Sequence, residues 1–392
     1  MDPVHVENLG IVAPVIFIIA MLCMPPGVGG GILFVPLLNL VGRLPSKNAT
    51  AMSQGLIMSA TVAKVLFSLH AQYTSKHKSR VINLPYVVLM LPCMMVGGLI
   101  GVYIYSWLPV LIQLILYVIT ALFGSALSLL KGFRLWRAET LAKTQAKLEV
   151  ENSNSGAQGS PGANPEELVL PPLLRPISRR KAIGCLAGVL GVWILVILSR
   201  LILGSSSTES VVGVPYCESL YWTLSAVVVV VLLMVPLLYA LIDRAPGSSK
   251  AAITLSGSLL GIGFLAAVVG ISGGIIITPL VMFMGLTPPQ ASGTGSVVIL
   301  VNSSSLALSF GLGGFLPASS DLWIIALPFC GALTGDIILT KIMRRTGRTS
   351  ILAFLLSSLA ALGAVIVLIT GIIKVVNESE TGKNPLSTGR FC

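Results

Sequence analysis

The sequence predicts an all-α polytopic membrane protein built from two inverted repeats, each a Gly-rich broken helix or re-entrant hairpin followed by transmembrane helices. Three observations predict it. Hydrophobic residues make up 55% of the 392 and charged residues only 10%, with a mean hydropathy of +0.93; a soluble domain of that balance would expose large apolar patches. Apolar runs of roughly 18 to 25 residues, long enough to span a bilayer, recur at about 50–71, 84–105, 110–131, 182–203, 219–242, 289–312, 322–341 and 350–374. Two Gly-rich breaks, PPGVGGGILFVPLL at Pro25–Leu38 and VVGISGGIIITPLV at Val268–Val281, interrupt further apolar stretches at 11–42 and 251–285.

The breaks align without a gap at a shift of 243 residues, Gly27 on Gly270. The same shift pairs Gly30 with Gly273, Gly31 with Gly274, Pro36 with Pro279, Pro45 with Pro288 and Ser53 with Ser296. Unwound backbone at membrane depth is tolerated only where protein or a water-filled cavity satisfies it, so a duplicated break points to an enclosed site near the bilayer midplane. Pro36 and Pro279 fit a structural role shared by both copies.

Loop charge sets the topology. The net charge of +11 is concentrated in a few loops, among them Lys76–Arg80 and Lys341–Arg348, and Lys and Arg favour the cytoplasmic side of short loops. If 251–285 crossed once, Lys341–Arg348 would lie outside. If it is a hairpin that turns at Gly270–Gly274 and returns, that cluster lies inside together with 132–181, while both termini lie outside. Arg43 and Lys47 are then external, against the rule. Eight segments cross, five of them between the hairpins, so the hairpins enter from opposite faces. The charge is a topology signal, and no nucleic-acid partner is expected.

Residues 1–131 form the first repeat and 251–374 the second. They are joined by a basic, partly disordered cytoplasmic linker at 132–181 and two connecting spans within 182–250, and followed by a polar tail at 375–392. The linker starts with a charged, helix-prone stretch (Arg134–Glu151) and continues in the Ser/Gly/Pro/Asn-rich run 152–165. Four of six cysteines, Cys23, Cys93, Cys185 and Cys330, fall in apolar segments, so no disulfide framework and no metal or cofactor motif is expected. The first apolar run follows Asp2 and Glu7 rather than a basic segment, which argues against a cleaved signal peptide.

In each break the glycines precede an apolar half-helix, whose free N–H groups and positive dipole end face the break. Two such ends converging make an anion site. Candidate substrate-binding positions are Gly27, Gly29, Gly30, Gly31, Gly270, Ser272, Gly273 and Gly274, with side-chain donors Ser53, Gln54, Thr294, Ser296 and Asn302 on the following helices. The competing account of such glycines is a close-packing surface between helices. Intramembrane charges are costly and few. Lys64 either snorkels to the cytoplasmic interface or is a cationic partner for the anion or a carboxylate. Asp336 either pairs locally with Lys341 or serves as the coupling carboxylate.

The pattern GVGGGILFVPLL followed by Pro45, and GISGGIIITPLV followed by Pro288 and ASGTGS at Ala291–Ser296, resembles the sulfite exporter TauE/SafE family. The resemblance extends to Leu91-Pro92 with Gly97, Gly98 and Gly101, and to Leu327-Pro328 with Gly331 and Gly335. It departs at Met52, where one register puts the family's Thr, and in the long 132–181 insert. The resemblance implies a secondary transporter of small sulfur-containing or organic anions such as sulfite or sulfonates, lodged in the lipid bilayer, with a proton or cation as the expected coupling partner.

An enzyme is not expected. Gly270-Ile271-Ser272-Gly273 matches a rhomboid-protease pattern, but the nucleophile lacks a base within reach; Gly335-Asp336 lacks a second buried carboxylate. An anion channel would use the same helix-end electrostatics but needs a pore lined by polar side chains, whereas these helices are nearly uniformly apolar. A non-transporting receptor or scaffold would use the 132–181 loop for docking.

Overall fold

The computed structural model describes residues 5–74, 81–154, 179–204, 210–242, 256–265, 274–312, 315–316 and 319–380. Within them the secondary structure is helical throughout, without a strand. In chain order the helices are α1 (Leu9–Cys23), α2 (Gly31–Leu40), α3 (Ser46–Thr74), α4 (Leu84–Trp107), α5 (Val110–Asn154), α6 (Arg179–Leu203), α7 (Ser219–Ile242), α8 (Ser256–Leu265), α9 (Gly274–Phe283), α10 (Pro288–Leu312), α11 (Leu327–Thr346) and α12 (Ser350–Glu380). A 3-10 stretch, Ser319–Ala326, leads into α11. Among the described residues eight helices, α3–α7 and α10–α12, are long and apolar enough to cross a membrane, and they fall on the eight apolar runs of the sequence. The protein is an integral, multi-pass membrane protein.

Burial separates an enclosed centre from a lipid-facing rim. The apolar stretch of α4 is 78% buried and that of α7 only 22%. On α6, Val189, Val192 and Val196 are buried while Ile183, Leu186, Leu190, Ile194 and Leu198 are exposed. Those exposed positions recur every three or four residues, which places them on one face of the helix; a bilayer, not water, covers such a face.

The half-helices after the two breaks coincide in register: α2 spans 31–40 and α9 spans 274–283, so both ends obey the 243-residue shift. Packing is duplicated as well. α2 lies against α3 and α12, while α9 lies against α10 and α5. α1 packs on α11, and α8 packs on α4. These last contacts are made through glycine. A Cβ on Gly331 would sit 2.6 Å from the Phe17 carbonyl oxygen and 3.4 Å from the Met21 nitrogen; one on Gly97 would collide with the Leu260 oxygen and the Phe264 nitrogen. Phe17 and Leu260 are 243 residues apart, as are Met21 and Phe264. Without Cβ atoms the helix backbones approach closely, which replaces the hydrophobic drive that lipid does not supply.

Hydrogen bonds show that the first break is a hairpin. The Glu7 N–H donates to the Gly42 carbonyl at 3.1 Å, Asn8 Nδ2 to the Val41 carbonyl at 3.0 Å, and Glu7 pairs with Arg43 at 3.3 Å. The chain therefore leaves α2 beside its entry into α1. The Val6 N–H also donates to Asp321 Oδ2 at 2.9 Å, which puts the start of α11 at the same end of the molecule. At the opposite end Glu139 of α5 caps α12, accepting from the Thr349 and Ser350 N–H groups at 2.7 and 3.2 Å and from the Ser350 hydroxyl at 2.6 Å. Lys143 donates to the Thr346 carbonyl, and the Arg348 guanidinium lies 3.4 Å from the Trp136 ring centre.

α5 continues without a break past residue 131, so the helix-prone part of the linker extends a span; most of the Ser/Gly/Pro/Asn run lies outside the described residues. Cys217 is disulfide-bonded, a single pairing where no disulfide framework is expected. Cys23, Cys93, Cys185 and Cys330 are free thiols.

Candidate functional site

The site is built on the turn that ends α1. The Gly27 N–H donates to the Met24 carbonyl at 2.9 Å and the Val28 N–H to the Cys23 carbonyl at 3.0 Å, closing the helix. Gly27, Gly29 and Gly30 then take φ of 82, 84 and 70°, a region an L side chain enters at a cost of about 1–2 kcal/mol. Gly30 caps α2 without a side-chain hydrogen bond. The Leu33 and Phe34 N–H groups both donate to the Gly30 carbonyl at 3.0 Å, so the N–H groups of Gly31 and Ile32, ahead of the first hydrogen bonds of α2, are presented with the positive end of its dipole at the loop.

The second break comes up against the first. A Cβ on Gly274, the first residue of α9, would lie 2.6 Å from the Gly27 oxygen and 2.8 Å from the Val28 oxygen. Thr278 Oγ1 donates to the Gly27 carbonyl at 3.4 Å. From α10, Ser292 Oγ donates to the Pro25 carbonyl at 2.6 Å. Gly270, Ser272 and Gly273 lie outside the described residues.

A buried charge pair is tied to this loop. Lys64 Nζ on α3 donates to Asp336 Oδ1 on α11 at 2.5 Å and to the Pro25 carbonyl at 3.3 Å. Their side chains are 9% and 2% exposed. The snorkelling account of Lys64 is therefore overturned: the helix continues ten residues beyond it, and the ammonium turns inward to a carboxylate. The local pair between Asp336 and Lys341 is overturned too. Five residues along an α-helix turn two side chains some 140° apart, off the shared face that i, i+3 and i, i+4 pairs enjoy. Close packing of Gly335 on the Met21 backbone draws α11 against α1 and delivers Asp336 to the loop.

The other predicted donors divide. Ser53 is buried but donates to the Thr50 carbonyl of its own helix at 2.8 Å. Thr294 is fully buried and accepts from the Asn83 N–H at 3.0 Å, securing the start of α4. Ser296 donates to the Ser292 carbonyl at 2.8 Å, one helical turn from the loop. Gln54 and Asn302 are half-buried. Pro36 and Pro279 are buried in α2 and α9. Sequence reasoning missed Pro25, Thr278 and Ser292. Ser292 lies inside the ASGTGS motif, four residues from Ser296 and hence on its face, so the motif itself contained the signal.

In chemical terms the loop offers unwound glycine backbone, the start of a helix dipole and a buried ammonium whose counter-charge is a carboxylate, groups whose chemistry suits a small anion.

Comparison with known proteins identifies the family. The family model described as sulfite exporter TauE/SafE matches residues 2–155 and 173–366, omitting a stretch inside the linker and everything after the middle of α12. Three relatives from Arabidopsis thaliana, named sulfite exporter TauE/SafE family proteins 1, 3 and 2, are 24, 26 and 24% identical, over 95, 90 and 94% of this chain and 86, 76 and 84% of their own lengths. No solved structure matches the chain. A family match over most of the chain makes it a member of the TauE/SafE sulfite exporter family of membrane transporters.

Proposed function

We propose that this chain is a secondary transporter of small anions, of sulfite, sulfonate or related organic type, which binds its substrate where the two Gly-rich breaks meet and exposes it alternately to the two faces of the membrane. One observation carries the reading: Gly27 and Val28 of the first break touch Gly274 of the second, and Lys64, the one buried ammonium among the described residues, is hydrogen-bonded to the Pro25 carbonyl of the same loop. Gly29–Gly31, Lys64 and Ser292 bind the anion in this reading.

Alternating access needs two moving units related by symmetry, and the proposal is an inverted repeat. Its support is the shared 243-residue register of α2 and α9, the duplicated glycine contacts of α1 and α8, and the position of the chain's ends. The first hairpin opens beside Asp321 and the start of α11. α10, which follows the second hairpin, begins beside the α3–α4 connection, where the Asn83 N–H meets Thr294. The hairpins thus open toward opposite ends. We assign the Asp321 end to the extracytoplasmic side and the Glu139–Thr349 end to the cytoplasm, in keeping with the basic residues at 341–348. Counting crossings puts the Cys217 disulfide on the extracytoplasmic side, where such bonds persist.

The test is uptake and efflux of labelled sulfite by proteoliposomes of the purified protein, competed with sulfate, taurine, sulfoacetate and lactate, with and without a pH gradient. Saturable flux is expected. Non-saturable flux would replace the carrier with a channel, and folded protein that binds but does not move anions would leave a receptor.

A further inference from the structure

The transporter reading does not by itself explain why the buried ammonium has a carboxylate partner. Among the described residues Lys64 is the one buried cationic side chain, and Asp321 and Asp336 are the buried carboxylates. Asp321 is engaged at one end of the molecule by the Val6 N–H and by His5 at 3.4 Å. Asp336 is used by half: Oδ1 accepts from Lys64, while Oδ2, fully enclosed, has no hydrogen-bond partner. Lys64 in turn has three N–H donors, of which one goes to Asp336 and one to the Pro25 carbonyl.

Resting on the transporter reading, we propose that Asp336 carries the coupling proton: a monovalent anion arriving at the glycine loop replaces Asp336 as the counter-ion of Lys64, and the released carboxylate binds one proton. Charge balance leads to this. The resting pair sums to zero. Adding a monovalent anion leaves one net negative charge inside an apolar wall, a state that neutralises because an unpaired buried charge is far costlier than a protonated acid. The proton adds to a carboxylate oxygen, most simply the free Oδ2, forming a neutral carboxylic acid, and the loaded site returns to zero charge. On release of the anion the proton leaves and the carboxylate re-forms its pair with Lys64. One anion and one proton therefore travel together. A divalent anion such as sulfate would leave a residual negative charge, so the same arrangement selects monovalent substrates, hydrogensulfite and organic sulfonates among them. Because Lys64 also holds the Pro25 carbonyl, its change of partner is felt directly by the loop.

Few other groups can take the proton's place. On the elements packed against α11, α1 contributes only the buried thiol of Cys23; α3 contributes, besides Lys64, Lys47 near its far end and Tyr73 and His70, which is exposed; the 3-10 stretch contributes Asp321. On α11 itself Lys341, Arg344 and Arg345 lie toward its C-terminal end, and Lys341 and both arginines are exposed.

The test uses full-length protein in proteoliposomes, sulfite at a pH where hydrogensulfite dominates, and three readouts: equilibrium exchange of labelled sulfite, accumulation driven by an inward proton gradient, and proton movement followed by an entrapped pH dye. The wild-type protein should show all three, with one proton per anion. Asp336→Asn should keep exchange within a few-fold of wild type, which also shows that it folds, while gradient-driven accumulation falls to background; Asp336→Glu should recover it. Accumulation by Asp336→Asn at the wild-type level, or wild-type flux without proton movement, would overturn the proposal. So would loss of exchange in Asp336→Asn with both activities restored in Asp336→Glu, since the carboxylate would then only position Lys64. Absence of exchange in the wild type would instead sink the transporter reading itself.

Discussion

The two halves of the molecule share a scaffold and differ in charge. α3 and α10 each follow the half-helix after a glycine break, α2 and α9, each packs against it, and the two lie against each other. Yet α3 carries a buried ammonium at Lys64, where the 243-residue shift gives Ala307 in α10. α11 carries Asp336, five residues after Gly331, while α4, whose Gly97 makes the matching glycine contact, carries no acid. In place of charge α10 offers hydroxyls, Ser292 to the Pro25 carbonyl and Ser296 to Ser292. The two halves share the frame, while the buried charge pair lies on it once among the described residues, with α3 of one half answering α11 of the other.

Removing the asymmetric charge should have the largest effect. Lys64→Ala leaves Asp336 buried without a partner, and breaking a buried pair from one side costs about 3–5 kcal/mol in soluble proteins. Sulfite flux should fall to background and the melting temperature of detergent-solubilised protein should drop. The double variant Lys64→Met, Asp336→Leu should regain most of that stability and stay inactive; recovery of flux would show that the pair is scaffold only.

The duplicated glycine contacts come next and should behave alike in both halves. Gly331→Ala and Gly97→Ala each drive a methyl into helix backbone and should cost about 1–3 kcal/mol, whereas Gly98→Ala, with open space around its Cβ position, should be neutral or stabilising by up to about 1 kcal/mol. Thermal melts of the three variants measure this, and a tolerated Gly331→Ala beside a damaging Gly97→Ala would break the equivalence of the halves. Gly30→Ala meets the Phe34 ring at 2.8 Å and a φ of 70°, so about 1–2 kcal/mol is expected together with reduced flux; wild-type flux would move the site away from this loop. Ser292→Ala should be mildest, about 1 kcal/mol, because Lys64 still donates to the Pro25 carbonyl. Its expected signature is a raised KM for sulfite with little change in the maximal rate.

What was legible in the sequence was whatever depends on neighbours along the chain. The eight spans, the two breaks and the register between them follow from runs of apolar residues and from Gly and Pro spacing, all local quantities. The charge pair joins residues 64 and 336, a distance over which no sequence pattern fixes a register; nearness in sequence favoured Lys341, and helical periodicity rules that partner out. Lys64 illustrates the same limit, since its distance from the helix end allowed snorkelling and only α11 packed beside it supplies an inward partner. The docking of Glu139 onto the start of α12 was likewise hidden. The helical character of 134–151 was readable, but what its charges touch depends on a turn two hundred residues away.

The glycine contacts also govern how the chain is made. α1 packs on α11, and α8 on α4, so each half surrenders the outer arm of its hairpin to the other. At about 5–20 residues per second the ribosome needs roughly 15 to 60 seconds to go from α1 to α11. For that interval the first hairpin sits in the membrane with its unwound tip lacking the wall that later encloses it, and Lys64 lacks its counter-charge. Assembly is therefore sealed from the far end of the chain, and truncations within the second half should strand an intact first half as a substrate for membrane quality control.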